Sequence, residues 1–165
     1  MAAPLYWTLT AVLVAVLVSI LVWAYQTANR LDRLHVRCDL SWQALDAALA
    51  RRAVVARAIA ADLRPDGAGL AALADAAERA SRPGREAREN ELSSALSQVD
   101  LDEVRPALVA ELDEAESRVL LARRFHNDAV RDTLSLRDQR PVRWLRLGGH
   151  APLPTYFEIS EHAQR

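Results

Sequence analysis

The feature that most constrains this chain is an uncharged apolar stretch near its N-terminus. No side chain between residues 5 and 25 is charged, and the core of the stretch, LTAVLVAVLVSILVWA, is mainly Leu, Val and Ala. About 20 residues, each rising about 1.5 Å, match a hydrocarbon layer of about 30 Å. In lipid only a helix satisfies the backbone of a lone segment. The stretch therefore predicts a single transmembrane helix within residues 1–26.

Aromatic side chains mark both ends of this helix. Tyr6 and Trp7 stand at one end, and Trp23 and Tyr25 at the other, where amphipathic rings prefer the membrane–water interface. The alternative is a cleaved signal peptide. A signal peptide would have a basic N-terminal region, a shorter apolar stretch and an A-x-A cleavage site. None of these is present, so a retained anchor is favoured.

Basic residues follow the anchor and predict its orientation. Arg30, Arg33 and Arg37 lie within about 15 residues of its end, whereas the other side offers only the α-amino group. Basic flanks stay in the cytoplasm, so we expect the N-terminus outside and the body inside. These arginines can also hold anionic headgroups. Since every basic residue is Arg, and Ala, Leu and Val abound, the composition indicates a GC-rich bacterial genome and hence a bacterial cell membrane.

Behind the anchor the chain keeps a helical period, without Gly or Pro before Pro65. Apolar side chains recur at steps of three and four residues, which places them on one face of a helix. These residues are Leu31, Leu34, Cys38, Trp42, Leu45, Leu49, Val55, Ile59 and Leu63. Arg64-Pro65-Asp66-Gly67 ends the helix, because Pro disfavours helical backbone before it and Gly permits a turn.

Two further helical segments follow. One runs from about Gly69 to Val99, with a break at Arg82-Pro83-Gly84-Arg85; the other runs from near Asp102 to about Leu136, with Pro106 in its first turn. The apolar face of the last segment is Leu108, Leu112, Ala115, Val119, Ala122, Phe125, Ala129 and Thr133. No strand pattern occurs.

These lengths predict an all-α fold. The transmembrane helix continues into an antiparallel bundle of three or four helices over residues 27–137. An irregular C-terminal tail over residues 138–165 follows, apolar enough to pack on the bundle or the membrane.

Composition excludes several classes of function. The 21 basic and 22 acidic residues nearly cancel, so no global field favours nucleic acid. Cys38 is the single cysteine of the sequence, and we expect it to be a small core residue. The histidines have no metal-ligand spacing: His35, His126, His150 and His162. We predict no catalytic residues, no metal and no cofactor, and expect His126 at the core edge beside the apolar face.

Two groups of arginines lie in the body, and each has a structural interpretation. Arg51 and Arg52 are expected to be ion-pair donors at the edge of the bundle; the alternative is a partner site. Arg82, Arg85 and Arg88 surround the Pro-Gly break and are expected to form a solvated turn.

Several segments resemble the LemA family. CDLSWQALDAALARRAVVARAIA is similar to that family's first cytoplasmic helix, ARENELSSALSQV to its E-N-x-L-x-x-A-L segment, and ELDEAESRVLLARRFHNDAVRD to its E-L-x-x-x-E-x-R helix. A Gly followed by an aromatic residue and Glu resembles the family's ending. The matching positions include Trp42, Arg51, Arg52, Glu91, Leu92, Glu116, Arg123, Asn127, Phe157 and Glu158.

The resemblance identifies the chain as a divergent member. His126 stands where the family usually has Tyr, and Thr133-Leu134 replaces a common Tyr-Asn. The family implies a membrane-anchored helical bundle with a short extracytoplasmic N-terminus and no established enzymatic activity. The leading hypothesis is a non-enzymatic adaptor or scaffold that binds another protein at the cytoplasmic face. The alternative is a self-associating structural protein that organises the membrane, and an enzyme is the third option.

Overall fold

A computed structural model of the chain describes residues 2–63, 65–149 and 152–159, with side chains from residue 6. The regular structure in these ranges is entirely helical, which confirms the predicted all-α fold class. The helices are α1 (Ala2–Asp62), α2 (Ala68–Arg79), α3 (Arg82–Leu96), α4 (Pro106–Arg137) and α5 (Arg140–Trp144), with a 3₁₀ turn at Leu101–Glu103. Arg64, His150 and His162 lie outside the described residues.

The chain divides into two compact units. Unit 1 comprises Met1–Cys38 and Ala129–Pro154, and unit 2 comprises Asp39–Asp128 and Thr155–Arg165. These units reflect packing within the protein, whereas the predicted divisions at residues 26 and 137 follow the expected membrane boundary and the expected end of the helical bundle. Those divisions stay a prediction.

The first part of α1 is long and apolar enough to span a membrane. Its large apolar side chains are exposed, including the four predicted interfacial rings Tyr6, Trp7, Trp23 and Tyr25. The hydroxyl of Thr10 donates to the carbonyl of Tyr6, and that of Ser19 to the carbonyl of Ala15. These bonds satisfy both hydroxyls within the helix, as a lipid environment requires.

The described residues of unit 1 form two small apolar clusters, and one of them contains Cys38. Cys38 is buried against Ala129 and Val130, with its Sγ 3.2 Å from the hydroxyl of Thr133. The other cluster is formed by Leu31, Leu136 and Val142, with Leu34 and Leu147 packed against it. Cys38 is thus the small core residue that its position on the apolar face predicts.

Part of the predicted irregular tail is helical. The short α5 has Pro141 in its first turn, where a fixed φ suits a helix and the missing N–H costs nothing. Val142, on this helix, is buried in unit 1. The residues from 145 to 149 form turns, and those from 152 to 159 have no regular structure.

In unit 2, α1 and α4 run antiparallel. Ser41 on α1 is hydrogen-bonded to His126 on α4, and Asp62, at the end of α1, accepts a hydrogen bond from the Arg105 side chain just before α4. Early residues of one helix therefore meet late residues of the other. Because α2 and α3 lie between them in the chain, α1 and α4 are the first and fourth helices of an up-and-down arrangement, and such helices are antiparallel.

The predicted middle segment forms two helices with opposite directions. Ala80 and Ser81 are both in extended conformation, which reverses the chain, and Pro83 then occupies the first turn of α3. The predicted break is therefore a complete reversal of the chain between two helices. As a result, α1, α2, α3 and α4 all contribute to the core of unit 2. Their shared core is Ala53, Val55, Ala56, Ile59, Ala60, Leu70, Ala74, Ala77, Leu92, Leu96, Val104, Leu108, Leu112 and Ala115.

The turn from α1 to α2 requires glycine. Gly67 is buried and approaches the backbone of Ala60 so closely that a Cβ on residue 67 would lie 1.9 Å from the Ala60 carbonyl oxygen. No real Cβ makes such a contact, so a larger residue would push α2 away from α1. Gly69, two residues later, has open space around the same position.

Arg57 adds an ion-pair link between α1 and α2. Its guanidinium lies 3.1 Å from Asp75 Oδ1 and also contacts Glu78. The hydrogen bond to Glu78 raises the pKa of Arg57 more than its partial burial lowers it. Arg57 therefore remains charged, and this link does not depend on its titration at physiological pH.

Candidate functional site

Unit 2 encloses a buried network of opposite charges. Arg52, Arg85 and Glu89 are each at most 4% exposed. Arg52 Nη2 lies 2.7 Å from Glu89 Oε2, and Arg85 Nε lies 2.9 Å from Glu89 Oε1. Each carboxylate oxygen of Glu89 thus receives a guanidinium group. Such pairing is required, because an unpaired buried charge costs several kcal/mol.

Further hydrogen bonds hold the two arginines. Arg52 Nη1 donates to the Ser93 hydroxyl at 3.1 Å, and Arg85 Nη1 lies 3.0 Å from Asp46 Oδ1. Arg52 Nε and Arg85 Nη2 have no hydrogen-bond partner among the described residues. The network joins α1 to α3 and fixes their parallel alignment.

Two predictions about these arginines are wrong. Arg52 lies in the interior instead of at the bundle edge, and Arg85 is buried instead of solvated. The cause is the reversal before α3, which places Arg85 and Glu89 of that helix against α1, where Arg52 lies. Arg51 is exposed and forms an ion pair with Glu111 at 2.9 Å.

The end of the described chain packs in a groove of unit 2. Burial alternates along residues 156–159: Phe157 is 3% exposed and Ile159 is half-buried, whereas Tyr156 and Glu158 are exposed. This alternation is typical of an extended chain with one face on a surface. We call residues 155–159 the tail segment.

The Phe157 ring occupies the centre of an apolar cluster. It packs with Leu45, Leu49 and Val119, and its centroid lies 5.7 Å from that of Trp42 in an edge-to-face arrangement. The part of unit 2 that receives the tail segment, here called the tail groove, comprises Trp42, Leu45, Leu49, Glu86, Val119, Arg123, His126 and Asn127.

Side chains of the groove bind the main chain of the tail segment. Asn127 Nδ2 donates to the Phe157 carbonyl at 3.1 Å, and the Phe157 N–H donates to Asn127 Oδ1 at 2.9 Å. Arg123 donates to the Ile159 carbonyl at 3.2 Å. The Glu158 N–H donates to Glu86 Oε2 at 3.1 Å. These side chains therefore satisfy four main-chain groups of the tail segment, which is not paired with a β-strand among the residues that the structure describes.

His126 lies in the groove wall, 1% exposed. Its Nε2 is 3.3 Å from the Thr155 carbonyl, and its Nδ1 is 3.1 Å from the Ser41 hydroxyl. Because a carbonyl oxygen only accepts, this geometry assigns a proton to Nε2. The predicted place of Phe125 on the apolar face is wrong: Phe125 is 56% exposed and His126 points inward. Hydrogen bonds to both ring nitrogens make that burial favourable.

Arg82 covers the outer side of Trp42. Its guanidinium carbon lies 4.5 Å from the ring centroid, within the range of a cation–π contact. Asp39 lies 3.6 Å from the same guanidinium group. Arg82 therefore packs on a residue of the tail groove, although the sequence suggested only a solvated turn.

The predicted site residues fall into separate places. Five of them meet in the tail groove: Trp42, Arg123, Asn127, Phe157 and Glu158. Arg51 and Glu91 are exposed, Glu116 is half-buried, and Leu92 is in the core. Arg30, Arg33 and Arg37 are exposed in unit 1, where Arg37 forms an ion pair with Asp132 at 3.1 Å.

Sequence reasoning missed the roles of Glu86, Glu89 and Ser41. Glu89 follows Arg85 by one helical turn, which signals an ion pair but gives no indication of burial. Glu86 and Ser41 are recognisable only once the tail segment lies beside α3 and α4.

Comparisons of the chain with protein-family models, with curated proteins and with solved structures find no match. The resemblance to the LemA family stays a prediction. In the described ranges, no cluster of three His, Cys, Asp or Glu side chains could hold a metal ion.

Proposed function

We propose that this chain is a single-pass membrane protein whose helical body is a non-enzymatic adaptor or scaffold for another protein at the cytoplasmic face. In this proposal it is a divergent member of the LemA family, in a bacterial cell membrane. The observation that carries it is the composition of α1, which changes along a single helix of 61 residues.

The two ends of α1 have opposite environments. From residue 6 to residue 23 the large apolar side chains are exposed, which in water would be unfavourable. From residue 45 onward, Leu45, Leu49 and Ile59 are completely buried among other helices. The first part suits lipid and the last part suits a folded domain, so one helix serves as both tether and core element.

The charges that follow the apolar part support the orientation. Arg30 and Arg33 are exposed, and Arg37 is exposed beside Asp132. Basic residues that flank a transmembrane helix remain in the cytoplasm. A cytoplasmic body follows from this rule.

The roles of the buried polar groups favour binding over catalysis. Both oxygens of Glu89 hold arginines, and both nitrogens of His126 are in hydrogen bonds. These groups join helices to each other and to the tail segment. A scaffold needs a rigid body of this kind to present a binding surface.

Crosslinking in cells tests the proposal. The full chain is compared with a control in which residues 1–38 are fused to an unrelated soluble domain. We expect a stoichiometric crosslinked partner for the full chain and none for the control. A deletion strain with unchanged membrane complexes would contradict the adaptor function. A second copy of the chain as the main product would favour the self-associating alternative.

A further inference from the structure

The tail groove holds the tail segment by features that any extended chain can offer. Asn127 binds both the N–H and the carbonyl of one residue, and Arg123 binds the carbonyl two residues further on. Within the described part of the chain, side-chain packing defines two positions, those of Phe157 and Ile159. Main-chain bonds with pockets for alternate side chains are the usual basis of extended-peptide recognition.

We propose that the tail groove is the binding site for an extended peptide of the partner, with an aromatic residue and, two positions later, an aliphatic one. The chain's own tail segment occupies the groove when the partner is absent. This inference rests on the proposed function and names the chemical class of its partner.

The contacts of the tail segment indicate that it is exchangeable. It makes no backbone–backbone hydrogen bond to the bundle among the described residues. Tyr156 and Glu158 are exposed, so its side-chain packing comes from Phe157 and Ile159. Fixing one residue's backbone costs about as much as one or two hydrogen bonds contribute. The segment is therefore held by hydrogen bonds from a few side chains of unit 2 and by the burial of Phe157 and Ile159, and a competing peptide with the same two side-chain types offers both.

The aromatic pocket sets the main requirement for the ligand. Trp42 and His126 meet edge-to-face at 5.6 Å, and Trp42 meets the Phe157 ring in the same way. Ile159 is partly buried and packs against the same apolar cluster, which favours an aliphatic side chain there. The residue between the two points outward, so its identity matters less.

A labelled synthetic peptide tests the inference on the full chain in detergent micelles. The probe has the sequence of residues 152–159, PLPTYFEI, and a control probe carries Ala in place of Phe. Binding is measured by fluorescence polarisation to the wild type, to Phe157→Ala, and to Phe157→Ala with Asn127→Ala. The attached tail segment competes at an effective concentration of about 1 mM, so the wild type should bind weakly.

We expect Phe157→Ala to bind the probe at least about tenfold more tightly than the wild type, because its groove is open. Adding Asn127→Ala should reverse that gain, and the Ala probe should not bind. Equal binding by the wild type and Phe157→Ala, or binding that ignores Asn127, would overturn the inference. A wild-type dimer with exchanged tail segments would also overturn it, by making a second copy the occupant.

Displacement gives a second measurement that does not need an open groove. A trifluoromethyl label on Glu158→Cys reports the tail segment by fluorine NMR, since this side chain points away from the groove. Excess unlabelled probe should convert the docked resonance into a free one; no conversion overturns the inference. A cellular partner that stays bound to Asn127→Ala would exclude the groove and leave the adaptor function standing.

Discussion

Asn127 and Phe157 are joined by two hydrogen bonds, from the Asn127 amide to the Phe157 carbonyl and from the Phe157 N–H to the Asn127 oxygen. The two residues are 30 positions apart in the chain. Their pairing fixes the register of the tail segment, because it places the Phe157 ring over Trp42 and Leu45.

Asn127→Asp should loosen the tail segment while leaving the helices intact. The carboxylate keeps the acceptor for the Phe157 N–H but loses the donor for the Phe157 carbonyl. We expect the tail segment to be destabilised by about 1–2 kcal/mol. Amide hydrogen exchange at residues 157–159 measures the effect.

The control is Gln98→Ala, an exposed change near the end of α3. It should leave exchange at residues 157–159 unchanged. Equal exchange in the wild type and Asn127→Asp would show that the amide pair does not hold the segment.

Glu89→Gln should destabilise the whole of unit 2. The variant keeps the shape of the side chain but leaves Arg52 and Arg85 without their shared buried countercharge. Loss of one partner from a buried ion pair costs about 3–5 kcal/mol. Urea unfolding of the full chain in detergent, followed by circular dichroism, measures the loss.

Glu91→Gln is the matched control, two residues away on α3. Glu91 forms an exposed pair with Arg88 at 2.7 Å, and exposed pairs contribute about 0–1 kcal/mol. Comparable losses for the two variants would mean that Glu89 is not the charge that stabilises the interior.

The helical pattern of the sequence predicted the elements better than the site. The apolar residues Leu45, Leu49 and Ile59 are all buried, because their spacing alone decides which face of α1 meets its neighbours. The spacing could not decide between Phe125 and His126. Hydrophobicity favours Phe125, but His126 is the buried residue, and both of its ring nitrogens have hydrogen-bond partners in the groove.

The buried charges could not be predicted for a different reason. Sequence statistics place Arg and Glu on surfaces unless a partner is known. The partners of Glu89 come from α1 and from the preceding turn of α3, so the network exists only after the chain reverses at Ala80 and Ser81. The tail groove likewise brings α1, α3 and α4 together with the tail segment. These segments lie far apart in the sequence, so the periodicity within any one of them does not predict their contact.

Two glycines near the start of α2 should respond to alanine in opposite ways. Gly67→Ala places a Cβ against the Ala60 backbone and should destabilise the bundle by more than about 2 kcal/mol. Gly69→Ala meets open space within α2 and should stabilise the helix by about 0.5–1 kcal/mol. Thermal unfolding of both variants checks the signs. Two equal shifts would contradict the close approach of Gly67 to α1.

The anchor and its orientation are tested most directly by labelling cysteines from outside the cell. Ala3→Cys and Glu91→Cys are made separately in the full chain, in which Cys38 is buried. A membrane-impermeant thiol reagent is applied to intact spheroplasts and to permeabilised ones. We predict labelling of Ala3→Cys in both samples and of Glu91→Cys only after permeabilisation. Labelling of Glu91→Cys in intact spheroplasts would contradict a cytoplasmic body.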